Sequence, residues 1–272
     1  MRDSAALKRS PVLAIILCGG RATRLRDYIS QQGRDKLYPK QMLRIGGSTP
    51  ELEYVLRLFV HHGITELTVV TRKGDKSIQD YFGDGSRVNA DIDYFVQRSA
   101  RMGTGGVVSA ALRHIKSREG STVVIYYGDI LSDIDLGELV RVHERKKADT
   151  TLALSGAYRL KAAVPVIGSG GTVSRLLVRP DINEALPGGL RKHVAMGILV
   201  MNARTCNALS MHKENSFDLM RDFVPFQLSK GDVVAAYIHR GYWVDIGTPE
   251  NFLSIEGSSM SDRFSFLGDS RS

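Results

Sequence analysis

The run Leu17-Cys18-Gly19-Gly20-Arg21-Ala22-Thr23-Arg24-Leu25 joins an apolar stretch to a glycine pair and then to a guanidinium. Glycines at such a turn let the backbone approach a ligand closely, and successive amides there can cradle phosphate oxygens. Arg24 adds a fork of donors matched to a polyphosphate. Pro39-Lys40-Gln41-Met42-Leu43 follows and brings a second cation, Lys40, to a loop after the same strand. The GxxxxGK[ST] spacing of the ATPase loop is missing, so a different kind of anion cradle is implied. Tyr127-Gly128-Asp129 closes a second apolar run, and in open α/β sheets ligands bind beyond the carboxyl ends of the strands. Asp133-Ile134-Asp135 has the spacing of a metal-nucleotide pair. Asp135, however, stands just before a helical stretch and reads as its N-cap.

The elements that must position these residues follow from hydrophobic periodicity. Val12 to Leu17 is a continuous, β-branched run and predicts a buried parallel strand. Pro50 to His62 carries Leu52, Val55, Leu56, Phe59 and Val60 at helical spacing, with Gly63 as its stop. Further strands are predicted over Glu66–Thr71, Asp91–Val96, Thr122–Tyr127, Thr150–Ser155 and His193–Asn202, then Val233–Ile238 and Tyr242–Val244. Helices are predicted over Ser77–Phe82, Thr104–Ile115, Leu136–Lys147, Ser216–Leu228 and Pro249–Ile255, and hairpins over Val164–Val178. Strands alternate with helices through the first half, which argues for a parallel sheet covered on both faces. Residues 1–10 read as a flexible arm, 11–257 as one catalytic domain, and 258–272 as a mobile Ser-rich tail. No repeat of β-helix type is present.

Composition narrows the partners. The formal net charge is +8, but no aromatic-basic stacking pattern accompanies it, so phosphorylated small molecules fit better than nucleic acid. The densest run, Arg141 to Lys147, has the spacing of a solvated helix face. No stretch approaches the roughly 20 apolar residues of a membrane span. The 2 cysteines lack CxxC spacing and indicate a reduced, cytoplasmic protein. Cys18 reads as a small packed side chain, and His61 and His62 as the end of a helix.

The opening segment resembles the signature of the sugar-1-phosphate nucleotidyltransferase family, LAGGxGTRL followed by PKxxLP, with Cys18 for Ala and Ala22 for Gly. Gly83-Asp84-Gly85-Ser86 and Met102-Gly103-Thr104-Gly105-Gly106 resemble its GDGS and PLGTAG stretches. Gly241-Tyr242-Trp243-Val244-Asp245-Ile246-Gly247-Thr248-Pro249-Glu250 resembles its GYWxDIGTPE. The resemblance runs from about Val12 to Glu256. It implies a Rossmann-like (GT-A-like) α/β three-layer sandwich with a mixed, mainly parallel central sheet and a smaller β-rich sugar-binding part.

It also implies roles. Leu17, Gly19, Gly20, Gln97, Gly103 and Thr104 would hold the nucleotide. Gly128 and Gly197 would face the sugar. Asp129 and Asp245 would hold Mg2+, and Arg24, Lys40 and Arg179 would neutralise phosphate charge. Two departures fall on the sugar side, Val178 where the family has Glu and Ala195 where it has Asn. The implied reaction joins a nucleoside triphosphate to a sugar 1-phosphate and releases pyrophosphate. The base, the sugar and the oligomeric state are not legible, although relatives commonly form homo-oligomers. Two other readings share the fold: a glycosyltransferase, against which Arg24 and Lys40 speak, and a non-catalytic nucleotide-sugar-binding regulator.

Overall fold

The computed structural model describes residues 11–20, 24–33, 38–45, 48–115, 120–156, 163–178, 193–211, 216–256 and 263–267. The first half runs β1 (Val12–Leu17), α1 (Arg26–Gln31), β2 (Arg44–Ile45), β3 (Thr49–Pro50), α2 (Glu51–His61), β4 (Glu66–Arg72), α3 (Ser77–Phe82), β5 (Asp91–Gln97) and α4 (Gly103–His114). Next come β6 (Thr122–Tyr127), β7 (Ile130–Ser132), α5 (Leu136–Arg145), β8 (Thr150–Ser155), β9 (Ala163–Ile167) and β10 (Val173–Val178). The described chain continues with β11 (Val194–Met201), α6 (Ala203–Ser210), α7 (Val224–Ser229), β12 (Val234–His239), β13 (Trp243–Asp245) and α8 (Pro249–Glu256).

Seven strands form one sheet in the order β12-β8-β11-β6-β1-β4-β5. β11 runs antiparallel to both its neighbours, and every other pairing is parallel. The pleat sorts β1 onto two faces. Ala14 and Ile16 pack with Leu52, Val55, Leu56 and Phe59 of α2 and with Leu136 and Leu139 of α5. Leu13 and Ile15 pack with Val107, Val108, Ala111 and Leu112 of α4 and with Cys206 and Leu209 of α6. Each such side chain taken from water contributes roughly 1.5–3 kcal/mol, so burial on both faces is what keeps these parallel strands together. The expected α/β three-layer architecture, with a mixed and mainly parallel sheet, is what the chain adopts.

A third apolar cluster lies at one corner. Leu25 and Ile29 of the α1 segment meet Leu43, Leu131, Val244, Ile246, Phe252 and Ile255 there. It fixes the β7–β13 pair, in which Asp245 lies opposite Ile130 and Trp243 opposite Ser132. Phe264 is buried in the same cluster, so part of the segment read as a mobile tail packs.

Several details differ from the periodicity reading, which also did not include the short strands β2, β3 and β7. α1 and α6 were not expected, because RDYISQ and ARTCNALS carry few large apolar positions to mark a helical face. Asn202 nonetheless caps α6, its side-chain oxygen accepting from the Thr205 amide at 2.8 Å. The helix expected over Ser216–Leu228 is two pieces. A π-helical turn at Leu219–Phe223, capped by Asp218, precedes α7, where Pro225 sits in the first turn and needs no N–H partner. The cap expected at Asp135 is present, its Oδ1 accepting from the Glu138 amide at 2.7 Å. Asp133 serves the β7–β13 corner instead, accepting from the Tyr242 amide at 2.7 Å.

Candidate active site

A cavity of about 300 Å3 opens at the carboxyl ends of β1, β5 and β6. Its lining includes all six residues expected to hold a nucleotide, Leu17, Gly19, Gly20, Gln97, Gly103 and Thr104, together with Lys40 and Asp129. Parallel strands bring this about: β1, β4, β5 and β6 all end on the same edge, so residues more than 100 apart in sequence face one cleft.

Asp129 follows β6 directly, and its carbonyl accepts from the Ile246 amide at 2.9 Å. That bond sets Asp129 and Asp245 side by side where β7 and β13 begin and end. The two carboxylates repel. Burial, and then Asp129, push the Asp245 carboxyl above the usual range, while Lys40, the Gly247 amide and Arg24 pull against that rise. The Lys40 ammonium, itself buried, forms an ion pair with Asp129. Arg24 lies beside Asp245: a Cβ at Gly247 would stand 2.9 Å from its guanidinium and 2.7 Å from Asp245 Oδ1. Glycine at 247 therefore lets the cation and the carboxylate approach each other.

On the nucleotide side, a Cβ at Gly19 would collide with the Gln97 side-chain oxygen at 2.2 Å, so the amide lies directly over the glycine turn. Gln97 Nε2 donates to the Ser99 carbonyl at 2.8 Å, which holds the amide there. Gly103 has φ +66°, and a Cβ would meet the Phe217 carbonyl at 2.3 Å. The Gly105 amide donates to that same carbonyl at 2.9 Å, and Thr104 Oγ1 donates to Asp218 at 2.8 Å. The start of α4 is thus bound to the 216–219 segment, and the Thr104 hydroxyl is engaged within the protein. The Gly83–Ser86 stretch is a turn in which Gly85 has φ +97° and Asp84 accepts from the Ser86 amide.

The residues expected to face a sugar are less completely described. Gly128 packs on β1: a Cβ there would meet Cys18 Sγ at 2.6 Å. Gly197, φ +80°, lies where the β11–β8 register shifts and faces the Tyr127 ring. Val178 ends β10, and Ala195 is half-buried in β11. Arg179 lies outside the described residues. Cys18 is the packed side chain expected, with burial pushing its thiol well above the usual range, which removes it as a nucleophile.

Two residues were missed. Gln41 is buried and lines the cavity, and its Oε1 has no hydrogen-bond partner among the described residues. Glu51 opens α2, fully buried, with neither carboxyl oxygen partnered among the described residues. Burial, then Asp129, raise its carboxyl far above the usual range, and Lys40 opposes them. A Glu in the first turn of an amphipathic helix normally reads as a dipole partner in solvent, so the sequence carries no signal for its burial.

Known proteins agree with this picture. The chain is 29% identical over 243 residues to a mannose-1-phosphate guanylyltransferase of Mycobacterium tuberculosis, covering 88% of this chain and 62% of that protein. It is 28% identical to a D-glycero-α-D-manno-heptose 1-phosphate guanylyltransferase of Aneurinibacillus thermoaerophilus, covering 88% and 94%. The fold is shared with HddC from Yersinia pseudotuberculosis, at TM-score 0.70 and 19% identity over 89% of this chain and 97% of that one. The family model described as nucleotidyl transferase matches residues 13–260, nearly the whole chain, and the protein belongs to that family.

Proposed function

We propose that the protein condenses a nucleoside triphosphate with a sugar 1-phosphate, giving a nucleoside diphosphate sugar and pyrophosphate. One observation carries this reading: Lys40 and Asp129 line a glycine-edged cavity as an ion pair, and Asp245, with Arg24 beside it, neighbours Asp129. The first relatives at this similarity are guanylyltransferases of manno-configured sugar phosphates, which makes GTP and such a sugar the first pair to try.

In the proposed reaction an oxygen of the sugar phosphate attacks the α-phosphorus. The bond from that phosphorus to the β-bridging oxygen breaks, and pyrophosphate leaves. No protein atom becomes covalently attached, so the chain acts by positioning and by charge neutralisation. The Gly19–Gly20 turn brings backbone close to the triphosphate. Arg24, beside Asp245, would take the departing β- and γ-phosphates. Lys40 serves the α-phosphate, and Arg179 the sugar phosphate. Gln97, held over Gly19, would meet the base.

Asp129 and Asp245 fit Mg2+, a hard ion that takes one or two carboxylates and fills its remaining positions with phosphate and water. When bound, Mg2+ supplies charge stabilisation to the phosphate oxygens.

The test is pyrophosphate release across four triphosphates and a panel of sugar 1-phosphates that includes mannose and manno-heptose. Release with GTP and a manno-configured sugar is expected. Silence with every pair, alongside measurable nucleotide-sugar binding, would make the protein a binding relative instead.

A further inference from the structure

Lys40 and a divalent cation compete for the same carboxylate. In the structure the Lys40 ammonium is paired with Asp129. A cation on Asp129 repels that ammonium, and Lys40 is only 8% exposed, so bulk water is no ready refuge for it. A buried lysine displaced from one anion needs another.

Glu51 is 0% exposed and, among the described residues, neither of its oxygens has a partner, which is costly for a carboxyl unless some state of the protein supplies one. It is tied to the Lys40 segment through the backbone. The Glu51 amide donates to the Leu43 carbonyl at 3.0 Å, and the Leu43 amide donates to the Lys40 carbonyl at 3.0 Å. The first turn of α2 also favours negative charge at this position.

We propose that Glu51 is a positioning residue that receives the Lys40 ammonium when Asp129 and Asp245 take up their divalent cation. This rests on the metal reading of those two carboxylates. In this scheme Lys40 has two carboxylate partners, Asp129 in the cation-free protein, as the ion pair shows, and Glu51 in the loaded one. The exchange keeps the ammonium inside the site, near the phosphate it serves, and clears Asp129 for the ion. Glu51 itself touches neither the substrate nor the metal in this scheme.

The experiment measures Mn2+ affinity of the full chain by calorimetry, without nucleotide, in a double-mutant cycle of Glu51→Gln and Lys40→Met. Glu51→Gln is expected to weaken Mn2+ about tenfold when Lys40 is present, and to have no effect beside Lys40→Met. Equal weakening in both backgrounds overturns the proposal, because Glu51 would then act on the ion directly. No weakening in either background also overturns it. Glu51→Leu is measured in parallel, and failure of both variants to fold would make Glu51 a structural residue and end the proposal. Absence of Mn2+ binding in the unsubstituted chain is a separate result, which removes the metal reading itself.

Discussion

Two buried carboxylate centres sit on opposite edges of the same sheet and have opposite characters. Asp149 precedes β8 on the amino edge. Its oxygens take the Arg204 guanidinium at 2.6 Å, the Asn202 amide at 3.1 Å and the Val233 backbone N–H at 2.9 Å. Burial alone would raise its carboxyl, yet these bonds outweigh burial and hold it below the usual range. Glu51, beside the carboxyl edge, is more deeply buried and has no bond at either oxygen among the described residues. Asp245 lies between, with a single amide from Gly247 at 2.7 Å and a like charge for a neighbour. Burial is common to all three, and the partner set decides the sign. The amino edge spends its polar groups on holding the fold, whereas the carboxyl edge leaves acceptors open for a ligand.

The sharpest way to break this contrast is to neutralise one acid on each edge. Asp129→Asn is expected to lower pyrophosphate release roughly 1000-fold at saturating Mg2+, with the melting temperature within a few degrees of the unsubstituted chain. Asp149→Asn is expected to do the reverse. It removes charge from a satisfied network, costs about 2 kcal/mol in urea unfolding at pH 7, and leaves turnover per folded molecule unchanged. The pH dependence fixes the sign. A carboxyl held below its unfolded value contributes fully above about pH 4 and loses that contribution as pH falls through the native value. The urea midpoints of the parent and Asp149→Asn should therefore converge in acid. A gap of constant size through the whole acid range would mean that packing, not charge, is what Asp149 supplies.

Legibility in the sequence followed the same division. The carboxyl edge was readable because its chemistry comes in contiguous motifs on strand ends: Gly19-Gly20, Tyr127-Gly128-Asp129 and the stretch around Asp245. The large strands and α2, α4 and α5 were readable because their periods are long enough to count. What escaped was short or assembled from afar. α6 depends on one cap at Asn202, and the 219–223 turn follows from Asp218 and Pro225, neither of which has a period. The Asp149 network joins residues from three chain segments, so no local pattern announces it. Glu51 escaped for the opposite reason: its local pattern is that of an exposed helix start.

A smaller effect probes how firmly the nucleotide end is built. Gly103→Ala forces a Cβ toward the Phe217 carbonyl at φ +66°, where an L side chain is strained. The start of α4 should shift by a few tenths of an ångström or more. The expected reading is an apparent KM for the triphosphate raised about tenfold, with a melting temperature a few degrees lower. An unchanged KM would place the base away from this turn.

The smallest expected effect is also the one that most directly separates the two edges. Glu51→Gln in the presence of a chelator should stabilise the chain, by about 1 kcal/mol at pH 7, where Asp149→Asn destabilises it. The sign follows from proton counting. Unfolded Glu ionises near pH 4.3, while native Glu51 keeps its proton to a higher pH because burial, and then Asp129, disfavour its charge. Between those values the native state binds more protons than the unfolded one. Parent stability therefore falls as pH rises, by at most about 1.4 kcal/mol per pH unit, until the native carboxyl ionises too. Glutamine does not titrate and lacks that slope. The advantage of Glu51→Gln should thus open above pH 4.5 and then level off. A loss of stability at pH 7 would show that Glu51 has a partner in the cation-free protein, and the two edges would then differ in degree only.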